Sequence, residues 1–167
     1  SDLVIVVGGL NKNERQDGKG CDREFLDLPY NQSELVAALV AVNPNIVVCL
    51  VSGNAVTMPW LDAVPSVVQA WYCGSEAGNS LADVLFGDVC PSGKLPFTFP
   101  VKLADSPADA LDNYPQKAEI EGDLFGNMYR HDVGGQRKRP RAVSSTAYYS
   151  EGSLVGYRWF DTKNVPV

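Results

Sequence analysis

Between Asn11 and Asp27 the chain carries Glu14, Asp17, Asp22, Glu24 and Asp27, interleaved with Lys12, Arg15, Lys19 and Arg23. Carboxyl groups gathered on one loop are suited to general acid–base work. One group can be kept protonated by its surroundings while another stays ionised. The same residues also describe a solvated surface loop with internal ion pairs, and by composition alone that plainer account is the stronger.

Ser75 is a second candidate. It lies between a strand-like and a helix-like stretch, with Asp83, Asp88 and the single histidine, His131, downstream. That is the chain order of an α/β-hydrolase triad, but the nucleophile elbow needs Gly-x-Ser-x-Gly. Here the run is Tyr72-Cys73-Gly74-Ser75-Glu76-Ala77-Gly78, with the glycines one place off. Ser75 therefore reads as a helix N-cap, with Glu76 near the positive end of the helix dipole. Gly8-Gly9 after an apolar run suggests a phosphate loop, yet Gly-x-Gly-x-x-Gly and the P-loop lysine pattern are both missing. The four cysteines, Cys21, Cys49, Cys73 and Cys90, form no Cys-x-x-Cys pair, which argues against zinc. Cys49 and Cys73 sit in apolar runs and are expected to be buried free thiols.

The bulk composition excludes further classes. A net charge of −6 disfavours nucleic acid as a partner. The one basic cluster, Arg137-Lys138-Arg139-Pro140-Arg141, reads as a solvated loop. No apolar run approaches the ~20 residues that span a bilayer, so no membrane partner is expected. The start, Ser1-Asp2 and then an apolar stretch, lacks a signal-peptide pattern and looks like a cut made just before a strand. With 167 residues, 45% hydrophobic and 20% charged, the chain fits one globular domain.

The elements that must carry these residues are set by periodicity. Residues 3–7 and 46–51 are β-branched apolar runs, typical of strands buried on both faces. Leu35, Val36, Leu39 and Val40 recur at helical spacing until Asn43-Pro44-Asn45 stops them. Residues 67–72 read as a third strand. A second helix comes next, with Leu81, Val84 and Leu85 on one face and Gly87 as its stop. This alternation predicts an α/β fold: a mostly parallel sheet flanked by helices, an α/β sandwich with flavodoxin-like layering, incomplete at both ends. Ligands of such sheets meet the carboxyl ends of the strands, which singles out loops 8–23, 52–60 and 73–78. Residues 101–147, with Pro107, Pro115 and Pro140 and no periodicity, are expected to form a long functional or wrapping loop, and 148–163 a closing strand.

Several stretches, taken in order, resemble the second domain of family 3 glycoside hydrolases, the β-glucosidase and β-xylosidase kind. They are Gly9-Leu10-Asn11-Lys12, Gly20-Cys21-Asp22-Arg23, Leu26-Asp27-Leu28-Pro29 and Gln32, then Asn43-Pro44-Asn45, Ser52-Gly53-Asn54-Ala55-Val56 and Met58-Pro59-Trp60. Ala70-Trp71-Tyr72, Ala77-Gly78-Asn79 and the run from Ala82 to Val89 continue the match. The most specific piece is Pro91-Ser92-Gly93-Lys94-Leu95-Pro96-Phe97-Thr98-Phe99-Pro100. Tyr149-Ser150-Glu151-Gly152 and Val155-Gly156-Tyr157-Arg158 resemble the closing motif. The match covers residues 3–100 and 148–163, with only Asn113-Tyr114-Pro115 between them.

What the resemblance implies is part of the C-terminal domain of a retaining, exo-acting β-glycosidase working on β-glucosides or β-xylosides without metal or organic cofactor. An N-terminal barrel domain, absent from this chain, would carry the sugar subsite and an aspartate nucleophile. The present domain would close over it and lend the acid/base loop, so the fragment alone should not catalyse. Implied partners are a β-linked oligosaccharide or glycoside and that barrel, with a homodimer allowed and a periplasmic or secreted location. A retaining pair of carboxyl groups stands ~5–5.5 Å apart. The family acid/base is commonly the Glu of Glu-Gly-x-Asp-Arg, and alignment on Asp22-Arg23 puts Lys19 in its place. An ammonium of ordinary pKa, about 10.4, is a poor acid near neutrality. The catalytic candidates are therefore Asp17, Lys19 and Glu14, with Asp17 preferred as the neighbour on the same loop. Arg23 is expected to anchor the loop by an ion pair, Trp60 and Trp71 to pack the core, and Glu151 and Arg158 to pair within the domain. The alternative is a non-catalytic carbohydrate-binding or interdomain scaffold module, which Lys19 would permit.

Overall fold

The structure, a computed structural model, describes residues 1–12, 16–17, 23, 25–113 and 149–167. They divide into two compact units, Ser1–Lys102 with Pro166–Val167, and Leu103–Val165.

The first unit is built on three parallel strands in the order β1-β2-β3: β1 Val4–Gly9, β2 Ile46–Val51 and β3 Ser66–Gln69. Val4 faces Ile46 at one end of the first pairing and Gly9 faces Val51 at the other; Leu50 faces Gln69 in the second. Parallel neighbours need a crossover, and α1, Gln32–Val42, supplies the first one. Central strand β2 is the most buried, with Ile46, Val48, Cys49 and Leu50 at or below 1% exposure. Val36 of α1 packs with Val48, Leu50, Val56, Trp60 and Phe99 in one core. Asn43 ends α1 through its own backbone N–H to Leu39 O, and its side chain caps the next turn by accepting from Asn45 N. The α/β class and the parallel sheet are as the periodicity predicts.

Two strand expectations are corrected. β1 is not buried on both faces: Val4 and Val6 turn inward, whereas Ile5 and Val7 are exposed. Among the described residues it pairs with β2 and has one covered face, and an apolar run alone cannot show how many faces are covered. β3 stops at Gln69 rather than at Tyr72. Ala70 N still reaches Leu50 O at 2.7 Å, but Trp71 then enters the left-handed region, at φ 54°, and turns the chain out of the sheet.

The Gly8-Gly9 pair closes β1 against protein rather than phosphate. Gly9 has φ 138°, and a Cβ there would lie 2.0 Å from Val51 O. The Gln32 side chain straddles the peptide, accepting from Gly9 N at 2.7 Å and donating to Gly9 O at 2.9 Å and Pro29 O at 2.9 Å. A Cβ at Gly8 would meet Gln32 Oε1 at 2.5 Å, so the Gln32 side chain would have to move and disturb these bonds.

Helix α2 spans Ala77–Phe86, with Leu81, Val84 and Leu85 half-buried and Gly87 as its left-handed stop at φ 85°. Ser75 does not cap it. Residues Gly74–Glu76 form a 3₁₀ turn, the N-cap position falls on Glu76, and the Glu76 carboxylate accepts from Asn79 Nδ2 at 2.6 Å. Insertion of a 3₁₀ turn shifts the helix start, which the Gly-Ser signal could not foresee. Cys49 is buried, as expected, and burial pushes its thiol pKa up. Cys73 is exposed instead, because β3 ends before reaching it; its thiol donates to Ala70 O. Cys21 lies outside the described residues.

In the second unit, a 3₁₀ turn at Leu103–Asp105 leads into the short helix α3, Pro107–Ala110, where Ser106 Oγ caps Asp109 N. The expected closing strand is a correction too: Tyr157–Lys163 is a helix, α4, preceded by turns. Gly156 at φ 60° opens it, and Trp159 and Phe160 are its buried residues. Side chains of neighbouring residues on a helix lie about 100° apart, so both can face the same covered side. Trp159 Nε1 donates to Asp105 O at 3.0 Å. Glu151 accepts from Asn113 Nδ2, and Arg158 lies over the Tyr157 ring at 4.9 Å, so the charges expected to pair have other partners.

Candidate functional site

The carboxyl ends of β2 and β3 and the start of loop 11–23 meet at Asp17. A short closed loop brings it there: Asp17 N donates to Asn11 O at 2.9 Å, and Asn11 N donates to Gln16 Oε1 at 3.0 Å. Buried Gln16 also donates from Nε2 to Tyr30 Oη at 3.0 Å, tying the loop to the approach to α1.

Among the described residues, three donors reach the Asp17 carboxylate. Gly53 N reaches Oδ2 at 2.6 Å, Tyr72 Oη reaches Oδ2 at 2.6 Å, and Asn54 Nδ2 reaches Oδ1 at 2.8 Å. Gly53 and Asn54 lie just beyond β2, and Tyr72 just beyond the left-handed turn at Trp71 that ends β3. Glycine at 53 has a steric reason, since a Cβ there would meet Tyr72 Cε2 at 3.1 Å and Asp17 Oδ2 at 3.3 Å.

This geometry fixes the electrostatics. Burial pushes the Asp17 pKa upward, but the bonds from Tyr72, Gly53 and Asn54 and the positive charge of Arg23 outweigh it, and the carboxyl is held below its usual range. Tyr72 moves the other way: burial first, then its bond to the Asp17 anion, push its pKa up to about 12. Near neutral pH the pair is thus a carboxylate receiving a phenol hydrogen bond, a charge-assisted contact.

Arg23 is anchored differently from expectation. Its Nε donates to Phe25 O at 3.1 Å and its Nη2 to Ala55 O at 3.0 Å, so carbonyls hold the guanidinium while its charge acts on Asp17. Thr57 Oγ1 donates to Asp27 Oδ1 at 2.5 Å and Thr57 N to Leu26 O at 2.9 Å. Asp17, Arg23 and Asp27 are therefore laced to residues 53–57 at the strand ends, where an open α/β sheet presents its ligand loops.

Of the predicted site residues, Asp17 sits in this network, whereas Glu14 and Lys19 lie outside the described residues, as does His131. Ser75 is exposed on the 3₁₀ turn before α2. Trp60 is core, and Trp71 packs edge-on against Phe97 and Phe99, at centroid distances of 5.6 and 6.4 Å. Gly53, Asn54, Tyr72 and Gln16 are members that reading the sequence for catalytic side chains passes over. Their signals were the place of Gly53 and Asn54 just beyond an apolar run and the family-like stretches that contain Gly53, Asn54 and Tyr72.

Comparison with known proteins agrees with this architecture. The model of the glycosyl hydrolase family 3 C-terminal domain matches residues 1–157. A β-glucosidase of Bacteroides ovatus is 50% identical over 167 residues, covering 99% of this chain and 19% of that protein. Among solved structures, a β-glucosidase from Kluyveromyces marxianus superposes with a TM-score of 0.73 at 36% identity, over 99% of this chain and 16% of its own. A β-glucosidase structure from the same organism, in complex with glucose, gives 0.62 at 47% identity over 65% of this chain and 13% of its own. The chain spans about a fifth or less of the length of these relatives. It belongs to the glycosyl hydrolase family 3 C-terminal domain family.

Proposed function

We propose that this chain serves as the C-terminal α/β domain of a retaining, exo-acting β-glucosidase, closing over an N-terminal barrel that carries the aspartate nucleophile, and that its 11–23 loop brings the acid/base group to the cleft. On this reading residues 3–100 form the domain's core, and the partners are a β-glucoside and the barrel of the same protein. The observation that carries the proposal is the lacing of Asp17 to Gly53, Asn54 and Tyr72, which fixes the loop at the carboxyl ends of the strands. The relatives from Bacteroides ovatus and Kluyveromyces marxianus, all β-glucosidases, supply the substrate class.

Within the loop, the three donors on Asp17 favour its ionised form. A carboxylate so held is a weak proton donor and a good structural anchor. The proton therefore falls to Glu14 or Lys19, with Lys19 standing where the family commonly has glutamate. A lysine acts as an acid near neutrality only when burial or a neighbouring cation depresses its pKa. Lys19 is also the observation that favours the second reading, a carbohydrate-binding or scaffold module without turnover.

The test is hydrolysis by the full-length protein of an aryl β-glucoside with a good leaving group, an aryl β-xyloside and a β-linked glucose disaccharide, comparing Lys19, Lys19→Glu and Glu14→Gln. Cleavage of both glucosides supports the glycosidase, and loss on the disaccharide with Glu14→Gln assigns the acid to Glu14. Failure on the disaccharide restored by Lys19→Glu identifies a lost acid at position 19. Sugar binding with no cleavage of any substrate, in all three forms, overturns the proposal in favour of the scaffold.

A further inference from the structure

We propose that Tyr72 is a positioning residue: held in place by the turn at Trp71, it fixes Asp17 and with it the acid/base loop over the strand ends. This role rests on the glycosidase reading of the chain.

Trp71 sits at φ 54°, a region that bulky L-residues rarely occupy and that persists only where the surroundings over-determine it. Here they do. The indole packs edge-on to both Phe97 and Phe99, which stack on each other at 5.5 Å with an interplanar angle of 12°. On the other side, Ala70 N is fixed to Leu50 O at 2.7 Å. The chain is thus clamped before and at Trp71.

That turn has a directional consequence. A continued β3 would carry Tyr72 along the sheet; the left-handed residue instead sends its ring over Gly53 and its hydroxyl onto Asp17 Oδ2 at 2.6 Å. Among the described residues, Gly53 N and Asn54 Nδ2 reach Asp17 from one loop, and Tyr72 reaches it from beyond β3. The phenol therefore ties the carboxylate to a second strand end. Asp17 N, bonded to Asn11 O, converts the fixed side chain into a fixed backbone.

A positioning role differs from simple stability through the leaving group. Protonation of the glycosidic oxygen matters much for a poor leaving group and little for a good one. A displaced acid/base loop thus lowers kcat/KM on a disaccharide more than on an activated aryl glucoside, whereas a smaller folded fraction lowers both alike.

The experiment compares the full-length enzyme with Tyr72→Phe, which keeps the ring and removes the hydroxyl, and with Asp17→Ala, after thermal melts confirm folding. Expected is a fall in the disaccharide-to-aryl kcat/KM ratio of roughly ten- to hundredfold in both variants. Equal loss on the two substrates, or no loss, in folded Tyr72→Phe overturns the positioning role while leaving the glycosidase standing. Absence of aryl glucoside cleavage by the unsubstituted protein overturns the underlying reading, and failure on the disaccharide alone overturns this inference, since no working acid/base group is then left to position. Should Tyr72→Phe fail to fold, Asp17→Asn decides by the same ratio, an unchanged value refuting the role.

Discussion

The Tyr72 hydroxyl and the Asp17 carboxylate meet at 2.6 Å although 55 positions separate them in the chain. The contact exists because β3 ends early and Trp71 redirects the chain beyond it, while the closed loop at Asn11 and Gln16 delivers Asp17 from the other side. Each partner shifts the other: the phenol helps to keep the carboxylate ionised, and the anion helps to keep the phenol protonated.

These directions set the pH dependence of stability. Asp17 is depressed below its ordinary value of 3.8, so its contribution is fully present above that pH and is lost as pH falls through the folded value. Denaturant midpoints measured between about pH 5 and about pH 2 should fall less in Asp17→Asn than in the unsubstituted protein. Because the group is partly solvated, the difference should be no more than about 1 kcal/mol.

On the alkaline side, Tyr72 titrates near 12 against an ordinary 10, so its stabilisation is complete below about 10 and lost as pH rises through about 12. A phenolate absorbance titration should show a late-ionising component that is missing in Tyr72→Phe and moves earlier in Asp17→Asn.

Gly9→Ala should be severely destabilising. The residue holds φ 138°, and the new Cβ would meet Val51 backbone atoms at 2.0–2.8 Å, so the β1–β2 pairing must open. A loss of roughly 3 kcal/mol or more is expected by urea unfolding.

Gln32→Leu keeps helix propensity and volume but abandons Gly9 N and O and Pro29 O. Partly buried backbone groups left unpaired should cost roughly 2 kcal/mol, read as a Tm lower by about 4–8 °C.

Gly53→Val tests the clamp sterically. Its branched side chain cannot share the space 3.1–3.3 Å from Tyr72 and Asp17 that a bare Cβ would already crowd. In the full-length enzyme it should lower the disaccharide-to-aryl ratio by about the same factor as Tyr72→Phe, and restore an ordinary tyrosine titration near 10.

The sequence by itself determined the parallel α/β layout, the stops at Asn43 and Gly87, and the ordered motifs that carry the family. Each is written in short-range spacing, apolar runs and punctuating residues that need no distant partner. Tertiary structure decided what lies beyond that range. Among the described residues, the run at residues 3–7 has one covered face, with Ile5 and Val7 exposed, and the aromatic run before Asn164 winds into a helix that buries Trp159 and Phe160. Asp17 accepts from Gly53, Asn54 and Tyr72, which converge on it from two strand ends. A carboxylate's protonation state is set by the donors around it, and those donors come from parts of the chain that only the fold brings together.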